Sequence, residues 1–409
     1  MDLNKLNIFG IEIDTLSRDQ ALVRASGFFS DGHQHFIVTP NPEILLGAGK
    51  DEELWYILNQ ADLAIPDGIG LKFAAILSGV KLERIAGADL MLDLLGLAVE
   101  KKLKVAVLNW RAGLSNGDEI KSAIQKKYPE LKFEVFDINQ DGEGLNHAAI
   151  ISFAPDLLFV TLGSPYQERV MYHQLPKLPS VHLAMAVGGA FDFLTGKRRR
   201  APRWLRTIGL EWFWRLALQP SRWRRIYRAV LVFPYKFLRW KFFLPHFYRP
   251  NVVCLLYKKE ASGYKIFIVE RTDKKDHWQL PQGGTRNETL IEAGARELRE
   301  EISNDKFRPI SAFPNLNKYD FGAGTVKYKV QKHAGYRGQR QGLFIAQFTG
   351  EDADIKINYY DHSAWRWVEA EKLVESVFSA RQESTKLFLE KFYATIRSEA
   401  DPNDTKLSK

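Results

Sequence analysis

The chain has 409 residues, of which 45% are hydrophobic and 26% charged, which exceeds one ordinary core and suits two folded domains with a connector. Its single cysteine, Cys254, excludes an internal disulfide and a cysteine-based zinc site and fits a reducing compartment. The formal charge of +9 is unevenly placed: from Lys197 to Arg249 nearly every charge is basic and Glu211 is the one acid, so this block points to anionic partners.

The opening residues, Met1-Asp2-Leu3-Asn4-Lys5, carry no basic region followed by an apolar run, so no secretion signal is expected. No uncharged apolar stretch is long enough to span a bilayer. Residues 1–195 then alternate apolar runs with amphipathic stretches, the pattern of a parallel sheet with crossover helices. Strands are expected at His35–Val38, Leu63–Ile65, Val105–Leu108, Leu157–Val160 and Leu183–Val187. Four of them run into polar or glycine-rich turns: Thr39-Pro-Asn-Pro-Glu43, Pro66-Asp-Gly-Ile-Gly70, Gly163-Ser-Pro-Tyr-Gln-Glu168 and Gly188-Gly-Ala-Phe-Asp192. Ligands of open parallel sheets bind at this carboxyl end, so the four turns are expected to build one site.

These turns, together with Arg84-Ile-Ala-Gly-Ala-Asp89, Arg200-Ala-Pro-Arg-Trp204 and Leu210-Glu-Trp212, resemble the bacterial WecG/TagA/CpsF glycosyltransferases over residues 1–230. The resemblance implies a Rossmann-like fold. It also implies transfer of a ManNAc-like sugar from a UDP-sugar to a lipid-linked acceptor in cell-surface polysaccharide synthesis. Asp67 matches the family's general base, which takes the proton from the attacking acceptor hydroxyl. Thr39 and Asn41 match positions near that base, and Gln167 and Glu168 match a loop expected to contact nucleotide or sugar. The only Asp-x-Asp, Asp352-Ala-Asp354, lies in the other half, so no cofactor is expected in the transferase. Arg84, Arg215, Arg222 and Arg225 are the candidates to hold the UDP diphosphate, because a guanidinium pairs bidentately with phosphate. Where the family usually has glycine after the third strand, this chain has Asn109-Trp110.

Residues 196–250 interleave those cations with aromatics from Trp204 to Tyr248. Pro234 and Pro245 are expected to break the segment into short pieces, and Lys236, Arg239 and Lys241 exclude a membrane span. Three readings stay open: an anionic membrane surface, packing on the transferase as a lid, and nucleic acid. The first places the protein in the cytoplasm, peripheral on the inner face of the plasma membrane.

After Pro250 a new strand opens the second domain, residues 251–396, ahead of a flexible tail at 397–409. Gly283-Gly-Thr-Arg-Asn-Glu288 precedes Arg296-Glu-Leu-Arg-Glu-Glu-Ile302. At helical spacing Glu297, Glu300 and Glu301 share one face, and Ile291, Ala295, Leu298 and Ile302 another. Hard carboxylate oxygens packed this closely suit Mg2+ or Mn2+. The segment resembles the Nudix box, with a loop one residue short and Ser303 in place of the closing glycine. The resemblance implies an α/β/α sandwich, metal ligation by all three glutamates, Glu300 and Glu301 as catalytic groups, and orientation of the cluster by Arg296. Trp278-Gln-Leu-Pro-Gln-Gly-Gly284, Gly338-Gln-Arg-Gln341 and Trp365-Arg-Trp-Val368 resemble dinucleoside polyphosphate hydrolases and bacterial RNA 5′-pyrophosphohydrolases. Asp361 stands where that branch often has a further metal-binding glutamate, and Trp365 and Trp367 are expected in the core. The whole reads as a bifunctional enzyme. A transferase with a nucleotide-sensing Nudix module and an RNA-trimming enzyme are the alternatives, and self-association is left open.

Overall fold

The computed structural model describes residues 5–202, 205, 211–321 and 335–400. The chain divides into two compact units after Phe242.

The first unit opens with a hairpin, β1 (Lys5–Ile8) and β2 (Ile11–Asp14). Its turn residues Phe9 and Gly10 have φ of 56° and 80°, the paired left-handed conformation that matches strand twist in a two-residue loop. Then follow α1 (Arg18–Gly27), β3 (His35–Val38), α2 (Pro42–Ala48), α3 (Glu52–Gln60), β4 (Leu63–Ala64), α4 (Ile69–Leu77) and α5 (Gly87–Glu100). The series continues with β5 (Lys104–Trp110), α6 (Gly117–Lys127), β6 (Lys132–Ile138), α7 (His147–Phe153), β7 (Leu157–Val160), α8 (Tyr166–Gln174), β8 (Leu183–Ala186) and α9 (Phe191–Leu194). Strands β3 to β8 form one parallel sheet in the order β4-β3-β8-β7-β5-β6. Helices cover both faces, which is why the inner strands read as unbroken apolar runs. All five strands expected from such runs are present. The sixth, β6, lies at the sheet edge with only Val135 and Ile138 buried, so it carries no continuous apolar signal.

The basic aromatic segment forms α10 (Glu211–Leu218), α11 (Trp223–Tyr227), a π-helical turn at Arg228–Val232 and α12 (Phe233–Leu238). Pro234 does not break it. The proline follows the π-helical turn at Arg228–Val232 with only Phe233 between them, and Val232 and Phe233 keep helical dihedrals, so the local widening of the helix accommodates the ring. Phe233 and Phe237 are fully buried and meet Phe9 edge-on at 5.7 and 6.3 Å, so this stretch is part of the first unit's core.

The second unit is a mixed sheet of β9 (Tyr248–Glu260), β10 (Gly263–Arg271), β11 (Trp278–Gln279), β12 (Gln282–Gly284), β13 (Phe307–Asp320), β14 (Gly338–Phe348) and β15 (His362–Glu369). Strands β9 and β14 pair in parallel and the other pairs are antiparallel. Helix α13 (Leu290–Ile302) packs on one face and α14 (Ser379–Ala400) on the other, giving the α/β/α sandwich. Pro250 lies within β9 rather than before it, at the end that β12 has not yet reached. Trp365 and Trp367 pack on Phe267 with ring centroids 5.6 and 5.5 Å away, as core residues. Helix α14 runs on to Ala400, past the expected start of the tail, and residues 401–409 lie outside the described residues.

Candidate functional site

Because β3 to β8 are parallel, the loops after β3, β4, β7 and β8 leave from one edge. The first two line a pocket of about 170 Å³ with Asn41, Pro42, Glu43, Asp67, Gly68, Ile69, Gly70 and Arg84. The bridge supplies the rest of the wall: Trp212, Arg222, Arg225, Ile226, Ala229 and Val230. Asn41 caps α2, its side-chain oxygen accepting from the N–H of Glu43 and Ile44 at 2.9 and 3.1 Å. Gly68 has φ of 109°, and a Cβ at Gly70 would stand 2.7 Å from Pro42 Cγ and 3.3 Å from Phe233. Only glycine lets the Asp67 turn, the Asn41 turn and the bridge close on one another. Gly68, the residue before α4, offers no side-chain cap to its first turn.

Asp67 faces Arg84 across 3.8 Å. Arg225 is held by Glu43, with Nε and Nη2 at 2.7 and 2.5 Å from Oε2. The pocket therefore joins Asp67, a carboxylate able to accept a proton, to three guanidinium groups able to hold a diphosphate, one of them paired with the second carboxylate, Glu43. The side chain of Arg215 lies outside the described residues, as do Trp204 and Leu210.

Thr39, Gln167 and Glu168 are not among the residues lining the pocket; all three are buried beneath this edge. The Thr39 hydroxyl donates to the Ala186 carbonyl at 3.3 Å, at the end of β8. Gln167 accepts from the Gly188 N–H at 3.0 Å and donates to Glu168 at 2.9 Å. Burial pushes the Glu168 carboxyl above its usual range, the hydrogen bond from Gln167 opposing it. These side chains hold the turns in place. Further along the edge, Asn109 donates to Asp137 at 2.7 Å and accepts from Thr161 at 3.0 Å, and Asp192 accepts from Ser115 at 2.8 Å. Arg200 reaches Asp89 at 2.5 Å, tying two motifs that lie far apart in sequence.

The bridge turns its other side outward. Tyr227, Leu231, Tyr235, Leu238 and Phe242 are exposed, with Arg224, Arg228, Lys236 and Arg239 among them. Partial burial and the neighbouring cations Lys50, Arg228 and Arg239 lower the pKa of the Lys236 ammonium, as expected in a strongly positive field.

In the second unit α13 begins with a capping box, Thr289 and Glu292, and ends with Ser303 in the left-handed region at φ 53°. The short loop before it places Arg286 and Asn287 there too, at 42° and 65°. Arg296 ties the site together. Its Nη2 donates to the Gly284 carbonyl at 2.7 Å, its Nε donates to Glu288 at 2.9 Å, and its Nη1 donates to Glu297 at 2.6 Å. A Cβ at Gly283 would fall 1.8 Å from Glu297 Oε2, so that glycine is what admits the carboxylate. Burial pushes Glu297 up to about 7; the Arg296 ion pair opposes this, and Glu300 and Glu301 add to it. Glu300 lies 3.4 Å from Arg296, and Glu301 lies 2.6 Å from the buried His362. Among the described residues no three such side chains converge on one point. The donor set still fits a hard divalent cation: three carboxylates sit on one face, one of them with a pKa raised by burial and by the other two. Beside them Gln341 bridges Asn317 and Gln282 at 2.7 and 3.0 Å, and buried Asn251 has neither side-chain amide atom hydrogen-bonded.

Residues 6–246, more than half of the chain, match the Glycosyl transferase WecG/TagA/CpsF family. The chain belongs to that family. Residues 247–391 match the NUDIX domain, so a glycosyltransferase and a Nudix hydrolase share one polypeptide. A Bacillus subtilis N-acetylglucosaminyldiphosphoundecaprenol N-acetyl-beta-D-mannosaminyltransferase is 36% identical over 195 residues, covering 46% of this chain and 74% of that protein. The Staphylococcus aureus (strain MRSA252) protein of the same name is 31% identical over 246 residues, 58% of this chain and 93% of its own. For the Nudix part, an RNA pyrophosphohydrolase from Wolbachia pipientis subsp. Culex pipiens is 34% identical over 154 residues, 37% of this chain and 92% of that protein.

Within the WecG/TagA/CpsF domain the structure brings Asn41, Asp67, Arg84, Arg222 and Arg225 to one pocket. Sequence reasoning missed Glu43, Trp212 and the apolar wall from Ile226 to Val230. Glu43 and Trp212 stood inside quoted motifs, but nothing in the sequence pairs Glu43 with Arg225. His362, next to the flagged Asp361, gave no signal. Its contact with Glu301 exists only once β15 pairs with β10.

Proposed function

We propose that the first unit transfers a hexosamine-type, ManNAc-like sugar from a UDP-sugar to a lipid-linked acceptor. Asp67 takes the proton from the acceptor hydroxyl as its oxygen attacks the anomeric carbon, and UDP leaves with the bonding pair. Arg84, Arg222 and Arg225 stabilise the charge growing on the diphosphate. The observation that carries this reading is the single pocket holding Asp67 and those arginines. The B. subtilis relative, whose name states an undecaprenyl-diphosphate acceptor, supports the same chemistry. No described helix is long and apolar enough to cross a membrane, and the exposed cationic aromatic face suits peripheral binding to anionic lipid. The test is transfer of labelled ManNAc from UDP-ManNAc to a lipid-diphosphate-GlcNAc acceptor. Asp67→Ala that keeps full transfer would remove the base assignment.

We further propose that the second unit hydrolyses a nucleoside diphosphate-linked substrate, so that the chain is bifunctional. Glu297, Glu300 and Glu301 would hold Mg2+ or Mn2+, which supplies charge neutralisation at the phosphates. Arg296 fixes Glu297, and the amide row of Asn251, Gln282 and Gln341 offers donors and acceptors to a base or phosphate. The Wolbachia relative favours a 5′-polyphosphorylated RNA end among the candidates. Purified full-length chain is assayed on capped nucleotides, dinucleoside polyphosphates and triphosphorylated RNA. Mg2+-dependent release unchanged in Glu300→Gln would remove the glutamate assignment, and no release by the unaltered chain would leave a nucleotide-sensing module instead.

A further inference from the structure

Helix α4, Ile-Gly-Leu-Lys-Phe-Ala-Ala-Ile-Leu, carries a single charge, Lys72. Its small residues face inward: Gly70, Leu71, Ala74 and Ala75 are buried, Gly70 against Phe233. Its large ones do not. Ile69, Phe73 and Ile76 are 38%, 36% and 68% exposed. Spaced at i, i+4 and i+7, they form one row along the outer face. A surface helix gains nothing in water from such a row, and contiguous exposed apolar surface marks a place where something apolar binds.

The row starts inside the pocket. Ile69 lines it beside Asp67 and Gly68, and Phe73 and Ile76 lead away from there. Seven residues of helix span about 10 Å, the length of roughly two isoprene units. The cations Arg84, Arg222 and Arg225 stand at the near end, and the one charge along the helix, Lys72, is also cationic. The acceptor is a sugar diphosphate head joined to an apolar chain. With the head's hydroxyl at Asp67 and the donor's diphosphate among the arginines, the rest of the acceptor leaves the pocket past Ile69, onto the apolar row.

We propose that Ile69, Phe73 and Ile76 form a track that binds the first part of the acceptor's lipid chain. The proposal rests on the pocket being the site of sugar transfer.

The test uses the full chain carrying Phe73→Ser and Ile76→Ser, two exposed positions outside the pocket lining. Transfer is measured to two acceptors with the same sugar diphosphate head, one on a long polyprenyl chain and one on a short alkyl chain. Sedimentation with anionic liposomes is measured in parallel. The track predicts that KM for the long-chain acceptor rises about tenfold, while kcat, the short-chain KM and sedimentation stay unchanged. An unchanged long-chain KM would overturn it. So would an equal rise for both acceptors, or a rise matched by lost sedimentation, which would make the row a general bilayer contact. If the unaltered chain transfers sugar to neither acceptor, the transferase reading itself fails and takes the track with it.

Discussion

Arg225 grips Glu43 through two nitrogens, Nε at 2.7 Å and Nη2 at 2.5 Å from the same carboxylate oxygen, at the wall of the pocket that holds Asp67. The arginine is more than half exposed, so the pair adds at most about 1 kcal/mol to stability. Its consequence is competition. On the proposed reading, a donor diphosphate, with more charge than one glutamate, displaces it from Arg225. Arg225→Ala is expected to lower kcat/KM for the sugar donor about 100-fold with an unchanged melting temperature. Glu43→Gln is expected to tighten UDP binding several-fold by calorimetry. Weaker UDP binding in Glu43→Gln would show that the glutamate positions Arg225 rather than competing for it.

The bridge has two sides with different energetics. Phe237 is fully buried against Phe9 and Trp240, so Phe237→Ala is expected to destabilise the first unit by about 3–5 kcal/mol. Transfer should fall with it, because Ile226, Ala229 and Val230 on the preceding turns line the pocket. Tyr235, two residues away, is 65% exposed. Tyr235→Ala is expected to change stability by less than about 0.5 kcal/mol and to weaken liposome sedimentation. Thermal melts and pelleting assays separate the two effects.

This two-sidedness also shows what a sequence can convey. Apolar runs such as Leu157–Val160 announce buried parallel strands because both faces are covered, and of the polar turns at strand ends those after β3 and β4 line the pocket. The alternation of cations and aromatics from Trp204 to Tyr248 is compatible with packing, lipid and nucleic acid alike, and only the pairing of Phe233 and Phe237 with Phe9 selects packing for that face. Thr39 and Glu168 are matched to positions near the ligand by the family resemblance alone. Here their partners are a carbonyl on β8 and the neighbouring Gln167, contacts set by tertiary structure.

Ser303 ends α13 in the left-handed conformation that glycine adopts without steric cost. The sequence flagged this position as a departure from the Nudix box, and the φ of 53° explains why glycine is the usual choice. A non-glycine residue there costs about 1 kcal/mol. Ser303→Gly is expected to stabilise the second unit by about that amount, read as a rise of a few degrees in its calorimetric transition. Hydrolysis should be unchanged, since Ser303 lies beyond the glutamate face.

Glu297 links the glutamate face to pH. Burial pushes its carboxyl up to about 7, against an ordinary value of 4.5. Between these pH values the folded chain holds a proton that the unfolded chain has released. Stability from this group is therefore full below about 4.5 and is lost as pH rises through about 7. His362 acts with the same sign: burial, its largest influence, pulls its pKa down, but Glu301 outweighs it and raises the net value. In chelator, the second unit is expected to lose up to about 3 kcal/mol across this window because of Glu297. Glu297→Gln is expected to remove that part of the slope. Mg2+ needs the deprotonated carboxylate, so its stabilising effect should grow as pH rises above about 7, where the metal-free protein is weakest. Calorimetric scans of the full chain at several pH values, with Mg2+ and with chelator, measure both trends. A slope that persists undiminished in Glu297→Gln would place the proton on another group and leave the cluster without its buried acid.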